Sequence, residues 1–160
     1  MLHELGHPLH AFDAAKVDGK LDIRLAKDGE KFTALTDEER TLTEDDLLIS
    51  DASGNALALA GIMGGNESGV TETTTDIILE SAYFTPTFIR RTSRKTALSS
   101  DSSYRFERGT DAQSVLTSSA YAAKIITEIA GGKIEGDTLT AGEAPVLVQP
   151  VTLNTEKLEQ

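Results

Sequence analysis

Hydrophobic and polar residues alternate in short runs over the first half of the chain. "LDIRLA" (21–26) alternates with a period of two, which is typical of a half-buried strand. Three further segments combine short apolar runs with turn residues: "GEKFTAL" (29–35), "RTLTEDDLLISD" (40–51) and "NALALAGIMGG" (55–65). "DIILESAYF" (76–84) then places one charge, Glu80, inside an apolar run, which indicates a strand buried on both faces.

Two helices are predicted in the second half. Thr85 and Pro86 supply a cap and a first helical position for a helix that runs toward Leu98. The longer helix lies near 111–130, begins at the capping residue Asp111 and ends at a pair of glycines. Its apolar stripe consists of Val115, Leu116, Ala122, Ile125, Ile126 and Ile129. Strands followed by helices predict an α+β fold.

Composition limits the function classes. Charged residues make up 26% of the chain and hydrophobic residues 39%, the balance of an ordinary globular domain. The absence of cysteine excludes disulfides and thiolate metal sites. No apolar run approaches the ~20 residues that span a bilayer, and the first residues lack the signal-peptide pattern. We therefore expect a cytoplasmic protein with no membrane partner.

The charge distribution bears on nucleic-acid binding. A net charge of −11 disfavours a free-standing nucleic-acid binder, because phosphates repel such a surface. The exception is "RRTSRK" (90–95), followed by Arg105 and Arg108. We interpret this cluster as a solvated helix face in preference to an RNA or partner contact. In "YRFERG" (104–109) we expect structural ion pairs or subunit contacts rather than catalysis.

The opening "HELGHPLH" (3–10) contains the zinc-protease pattern H-E-x-x-H. That pattern binds metal only when a continuous helix puts both imidazoles on one face. Here Pro8 follows His7 and pushes it out of the helical region, and Gly6 weakens the helix further. We reject the zinc hydrolase and predict no metal site. His3 and His7 are interpreted as incidental.

Five segments carry a resemblance to a known family. They are "ELGHPLHAFD" (4–13), "LALAGIMGG" (57–65), "ILESAYF" (78–84), "IRRTSRKTAL" (89–98) and "SDSSYRFERGTD" (100–111). In this order they resemble the beta subunit of bacterial phenylalanyl-tRNA synthetase, and the resemblance extends over nearly all of residues 4–130. The resemblance implies its B3/B4 region, the editing module, over 1–142, truncated at its N-terminal edge. It also implies a linker and the first strand of the following B5 domain over 143–160.

The resemblance implies a fold and a function. The fold is α+β, with a mostly antiparallel, barrel-like sheet and a few helices. The reaction is hydrolysis of misacylated tyrosyl-tRNA(Phe), with the tyrosine moiety as the editing substrate. The partners are the alpha subunit and, through the whole enzyme, tRNA(Phe). No cofactor is expected for this chain, since ATP and magnesium belong to the alpha subunit. A non-catalytic RNA- or subunit-contact module is the alternative.

The resemblance also implies two reacting groups. Glu80 matches a glutamate that contacts the tyrosyl side chain, although from the sequence alone an ion pair with Arg105 or Arg108 is equally plausible. His10 matches a pocket histidine that positions the ester or the attacking water, and general-base action is a further option. Without the resemblance, a histidine beside Phe12 is more often a packed structural residue.

Three further residues are expected to bind the substrate. Gly64 matches a glycine of the pocket wall, where any side chain would fill the space. A phosphate-binding loop is disfavoured there, because the glycine spacing fits no phosphate motif. Ser100 and Ser102 stand where the family shows threonine and alanine. Ser102 therefore adds a hydroxyl to a wall that is usually apolar.

Overall fold

The structure is a computed structural model and describes residues 2–143, 145 and 151–152. This part of the chain contains eight short strands and four α-helices. The strands are β1 (Leu9–Asp13), β2 (Asp22–Leu25), β3 (Lys31–Thr33), β4 (Glu39–Thr41), β5 (Leu47–Ser50), β6 (Ala56–Leu59), β7 (Met63–Gly64) and β8 (Ile77–Ser81). The helices are α1 (Leu2–Leu5), α2 (Pro86–Thr96), α3 (Asp101–Phe106) and α4 (Val115–Ala130). The predicted α+β class is confirmed.

The strands pair antiparallel throughout. One sheet has the order β2–β5–β6–β7, and two ribbons, β1–β8 and β3–β4, have two strands each. Isolated bridges between Phe12 and Gly69 and between Ala34 and Gly65 tie the ribbons to the segment around β7. The sheets of this part of the chain do not close into a barrel, because the strands pair as three separate sheets and not as one continuous ring.

A single hydrophobic core joins the sheets to the helices. Phe12, Leu48, Leu59 and Ile89 are almost fully buried in it. The turn between β5 and β6 fits the sequence signal, since the N–H of Gly54 donates to Asp51 O at 3.1 Å. This core positions β1, β7 and α3 around one small space, described below.

Both helices that the sequence predicts are present. Thr85 is the extended N-cap of α2 and Pro86 is its first residue. A 3₁₀ turn over Ala112–Ser114, capped by the Asp111 carboxylate, leads into α4, which ends where Gly131 adopts φ +73°. The short helix α3 is an addition to the prediction.

The apolar stripe of α4 is only partly buried, which corrects the sequence-based interpretation. Ala122 is buried, but Leu116 is 56% exposed and Ile129 is 82% exposed. The reason is that α4 packs against the narrow β1–β8 ribbon, mainly through β8, and a two-stranded ribbon covers little of a helix.

The strand β8 is also less buried than predicted. Its last four residues are half-buried and Ile77 is exposed, so the expectation of full burial on both faces is wrong. Each face is nevertheless in contact with protein. Ser81 donates to the Val115 carbonyl of α4 at 2.9 Å, whereas Glu80 faces the other way, into a cavity.

The predicted division between the module and the following linker stays a prediction. Most of 143–160, including the strand predicted from Val146, lies outside the described residues. Among the residues that are described, no helix has the length and apolar character needed to cross a bilayer.

Candidate functional site

The β1–β8 ribbon brings His10 and Glu80 together. The two residues are directly opposite each other in the antiparallel register. Directly opposed residues of an antiparallel pair project to the same face of the sheet, with Cβ atoms about 5 Å apart. The carboxyl and the imidazole therefore share one side of the ribbon, although 69 positions separate them in the sequence.

Glu80 is a carboxyl held in an apolar setting. Burial raises its pKa to about 7, and among the described residues neither a cation nor a hydrogen bond offsets the effect of burial. The alternative of an ion pair with Arg105 or Arg108 does not occur, because Arg108 pairs with Glu107 and no ion pair of Arg105 is found among the described residues. Glu80 is thus available to bind a polar group in the cavity.

His10 is a neutral imidazole at neutral pH. Burial lowers its pKa below the usual value, and no anion opposes this effect. The ring lies edge-on to Phe12 at a centroid distance of 4.6 Å, and its Nε2 is buried without a hydrogen-bond partner. An imidazole in this state can take up or donate one proton.

Gly64 lies against the His10 ring. A Cβ at position 64 would be 2.5 Å from His10 Cε1, 2.8 Å from Nε2 and 2.9 Å from Leu35 Cδ1. Only glycine permits this approach. Leu35 reaches the site because the β3–β4 loop folds back over β7. The N–H of Leu35 donates to Gly64 O at 2.9 Å. The sequence does not predict Leu35 at the site, since nothing local in the sequence signals this long-range contact.

The two serines differ in position. Ser102 is half-buried and lines the same cavity as Glu80. Ser100 is the N-cap of α3, where its Oγ accepts from the Ser103 N–H at 3.1 Å and donates to Ile62 O at 2.6 Å. Ser100 does not line the cavity, so its hydroxyl holds α3 next to β7.

The cavity between β1, β7, β8 and α3 has a volume of about 50 Å³. Apart from the predicted residues His10, Gly64, Glu80 and Ser102, its wall is largely apolar and includes Ile62, Met63, Phe84 and Phe106. Space of this size holds a few water molecules. An aromatic ring enters only when wall side chains shift, and Met63 is unbranched and half-buried.

His7 is structural rather than incidental. It is fully buried, with Nε2 3.2 Å from Ser81 Oγ and Nδ1 3.3 Å from Ser114 Oγ. Burial lowers its pKa and outweighs the opposing charge of Asp111. His7 therefore links β8 to the start of α4. Because α1 ends at Leu5, the continuous helix that the zinc motif requires does not form.

A mostly apolar cavity with a few convergent polar groups is typical of domains that bind or transform a small molecule. Residues 1–131 match the sequence profile of the B3/4 domain, and the chain belongs to this family.

The curated relatives are subunits of an aminoacyl-tRNA synthetase, which confirms the resemblance. The phenylalanine–tRNA ligase beta subunit of Porphyromonas gingivalis is 45% identical over 99% of this chain and 19% of its own length. The beta subunit of Geobacter metallireducens is 48% identical over 91% of this chain and 18% of its own length. That of Aquifex aeolicus is 50% identical over 81% of this chain and 17% of its own length. The chain thus spans less than a fifth of these relatives.

Solved structures also align with this chain, and one of them is described here. It is an N-terminal fragment of the phenylalanyl-tRNA synthetase beta subunit from Pyrococcus horikoshii, with a TM-score of 0.39 and 25% identity, and the alignment covers 44% of this chain and 26% of that one.

Proposed function

We propose that this domain hydrolyses the ester that joins misattached tyrosine to tRNA(Phe), as part of a phenylalanine–tRNA ligase in the cytoplasm. The observation that carries the proposal is the unpaired Glu80 carboxyl, opposite the neutral His10 imidazole at an apolar cavity. The alpha subunit is the proposed partner and supplies the ATP- and magnesium-dependent aminoacylation.

Glu80 accounts for the choice between tyrosine and phenylalanine. A hydrophobic synthetic pocket rejects an added hydroxyl by only about a hundredfold, so tyrosine is attached in error. In the editing cavity the phenol hydroxyl donates to Glu80. Phenylalanine would leave this buried carboxyl unpaired, at a cost of about 1–3 kcal/mol. The cognate ester is therefore spared.

His10 accounts for the hydrolysis. A water molecule attacks the ester carbonyl, the bond to the ribose oxygen breaks, and tyrosine leaves as its carboxylate. The neutral imidazole can take a proton from the attacking water and return one to the ribose oxygen. Gly64 leaves the space that the His10 ring occupies. Ser102 adds a hydroxyl to the cavity wall beside the substrate.

The test uses the full subunit assembled with its alpha partner. We expect Glu80→Ala and His10→Ala each to slow deacylation of tyrosyl-tRNA(Phe) at least tenfold, as measured by release of labelled tyrosine. Aminoacylation with phenylalanine should be unchanged, because it uses another site. Glu128→Ala is the matched control, since Glu128 is an exposed carboxylate of α4. Wild-type deacylation rates in both variants would remove the proposal.

One observation favours a second function, a non-catalytic contact module. Leu116 and Ile129 are exposed apolar residues of α4, and each can contribute to a contact with another domain or subunit. The deacylation assay separates the two functions, since a contact module predicts no tyrosine release by the wild-type enzyme.

A further inference from the structure

His7 lies behind the cavity, on the side of β8 that faces away from Glu80. Successive strand residues point to opposite faces, so Ser81 is turned away from the cavity that Glu80 lines. On that side, Ser81 Oγ is 3.2 Å from His7 Nε2. The His7 ring is also edge-on to Phe106, a residue of the cavity wall, at a centroid distance of 6.3 Å. One fully buried imidazole thus supports two cavity walls from behind, the strand β8 and the helix α3.

Hydrogen bonding fixes the direction of the contact between His7 and Ser81. The Ser81 hydroxyl has one proton, which it donates to the Val115 carbonyl at 2.9 Å. The hydroxyl oxygen therefore accepts a hydrogen bond from His7, which requires the neutral ring to carry its proton on Nε2. Ser114 Oγ lies 3.3 Å from Nδ1 and 2.8 Å from the Asp111 carbonyl, and its proton can serve either acceptor. A side chain without a donor at position 7 would leave a buried contact of β8 unmade.

The strand β8 has few other supports. Among the described residues its only strand partner is β1, and a two-stranded ribbon is marginally stable by itself. The last pair at this end of the ribbon joins Leu9 to Ser81, and Glu80 belongs to the next pair. The contact with His7 is therefore made at the residue that directly follows Glu80.

We propose that His7 is a positioning residue, which holds Glu80 at the cavity by fixing the end of β8 through Ser81. The proposal rests on the proposed function, since that function gives the Glu80 carboxyl its role. His7 is not among the residues that line the cavity, so it does not touch the substrate. When its contact with Ser81 is lost, the end of the ribbon loosens and water reaches the Glu80 carboxyl.

The first measurement is the pKa of Glu80 in the 160-residue chain without RNA, by carbon NMR of the labelled carboxyl. Burial raises this pKa to about 7 in the wild type. We expect His7→Leu and Ser81→Ala to lower it to below about 6, because hydration stabilises the charged form. His7→Gln should stay near the wild type, since an amide keeps a donor and an acceptor. Asp111 is the charged group that acts on His7, and no charge of the described residues acts on Glu80.

The other end of the ribbon provides a control for general loosening. Thr74 Oγ1 donates to Asp13 at 2.8 Å there, and Asp13 is three pairs away from the pair of His10 and Glu80. Thr74→Val removes this hydrogen bond and keeps the volume of the side chain. Its urea midpoint should fall about as far as that of Ser81→Ala, but the pKa of Glu80 should stay at about 7.

The second measurement is deacylation by the full subunit with its alpha partner. We expect Ser81→Ala to lower the ratio of kcat/KM for tyrosyl-tRNA(Phe) to that for phenylalanyl-tRNA(Phe) about tenfold, because water then pairs with the carboxyl when phenylalanine is bound. If the wild type shows no deacylation, the proposed function fails, and the NMR measurement still decides whether His7 positions Glu80. An unchanged pKa of Glu80 in both His7→Leu and Ser81→Ala, or an equal fall in Thr74→Val, would overturn the positioning role.

Discussion

At the scale of single residues, the site depends on one missing carbon atom. Gly64 leaves room for the His10 ring and for Leu35, which no other residue would do. The sequence indicates Gly64 only through the family resemblance. No turn signal marks it, because the φ of Gly64 is not positive and its backbone conformation does not require glycine. The physical reason became visible only when β1, β7 and the β3–β4 loop were placed together.

Gly64→Ala should therefore impair hydrolysis more than stability. The atoms that the new methyl group meets are ends of side chains and can move, so the free energy of unfolding should fall by only about 1 kcal/mol. A displaced imidazole, in contrast, should slow deacylation about a hundredfold. Urea denaturation and the deacylation assay measure the two effects. Gly132→Ala is the control, since its Cβ meets nothing within 4 Å. A variant with normal deacylation would show that the ring position is unimportant.

Glu80 should make stability depend on pH. Its pKa is 4.5 in the unfolded chain and about 7 in the folded one, so the folded state holds more protons between these values. The free energy of unfolding therefore decreases as pH rises from about 4.5 to 7, because the folded state must give up the extra proton over this range. At about 1.4 kcal/mol per pH unit, Glu80→Gln should be more stable than the wild type at pH 8 by up to about 3 kcal/mol, and similar at pH 4. Urea titrations at both pH values check this.

An exposed carboxylate serves as the comparison. Glu128→Gln on α4 should leave the free energy of unfolding within about 0.5 kcal/mol of the wild type at both pH values. If Glu80→Gln behaves like Glu128→Gln, the carboxyl is not desolvated in the folded protein.

At the scale of elements, local sequence signals predict the two long helices, whereas tertiary contacts determine how the strands and the short helix α3 are placed. Pro86 and Gly131 mark the ends of α2 and α4 in the sequence itself, and the structure has both. The sequence does not predict the helix α3, because its capping serine, Ser100, is interpreted as a pocket residue. It does not predict the role of His7 either, since the partners Ser81 and Ser114 are far away in the sequence. The resemblance indicates His10 and Glu80 as candidate site residues, and the register of β1 and β8 places them opposite each other.

Asp46 anchors α2 to the sheet. Burial raises the pKa of its carboxyl, but hydrogen bonds from Lys95, from the Thr43 N–H and from Thr92 outweigh burial, so the net pKa is lowered. The residue is fully buried, and Thr92 donates to it at 2.7 Å. Asp46→Ala leaves Lys95 and Thr92 without their partner. We expect a loss of about 3 kcal/mol of unfolding free energy, measured in urea.

Its neighbour provides a matched control. Asp45 pairs with Arg91 at 3.1 Å on the surface, where both side chains are exposed. Asp45→Ala should cost about 0–1 kcal/mol. Equal losses in the two variants would show that burial does not set the strength of these contacts.

At the scale of the whole molecule, net charge and local charge have opposite signs. The chain carries −11, while the helix α2 carries four basic residues and no acidic residue. Self-repulsion destabilises a compact chain of high net charge, and salt screens it. Added salt should therefore stabilise the fold.

We expect the melting temperature to rise by a few degrees between 20 and 200 mM NaCl. Calorimetry of the RNA-free chain measures it, and sucrose of matched osmolality is the control for effects other than screening. A melting temperature that falls with salt would mean that surface ion pairs, rather than net repulsion, dominate the electrostatics.

The β1–β8 ribbon has a consequence for how the protein is made. Its two strands are separated by residues 14–76, so a nascent chain displays the first strand long before its partner leaves the ribosome. Closing so long a loop carries an entropic penalty and slows folding. The last wall of the cavity arrives later still, with α3. The cavity is thus completed late in biogenesis, and a ribosome stalled before residue 106 would carry a chain that cannot yet form it.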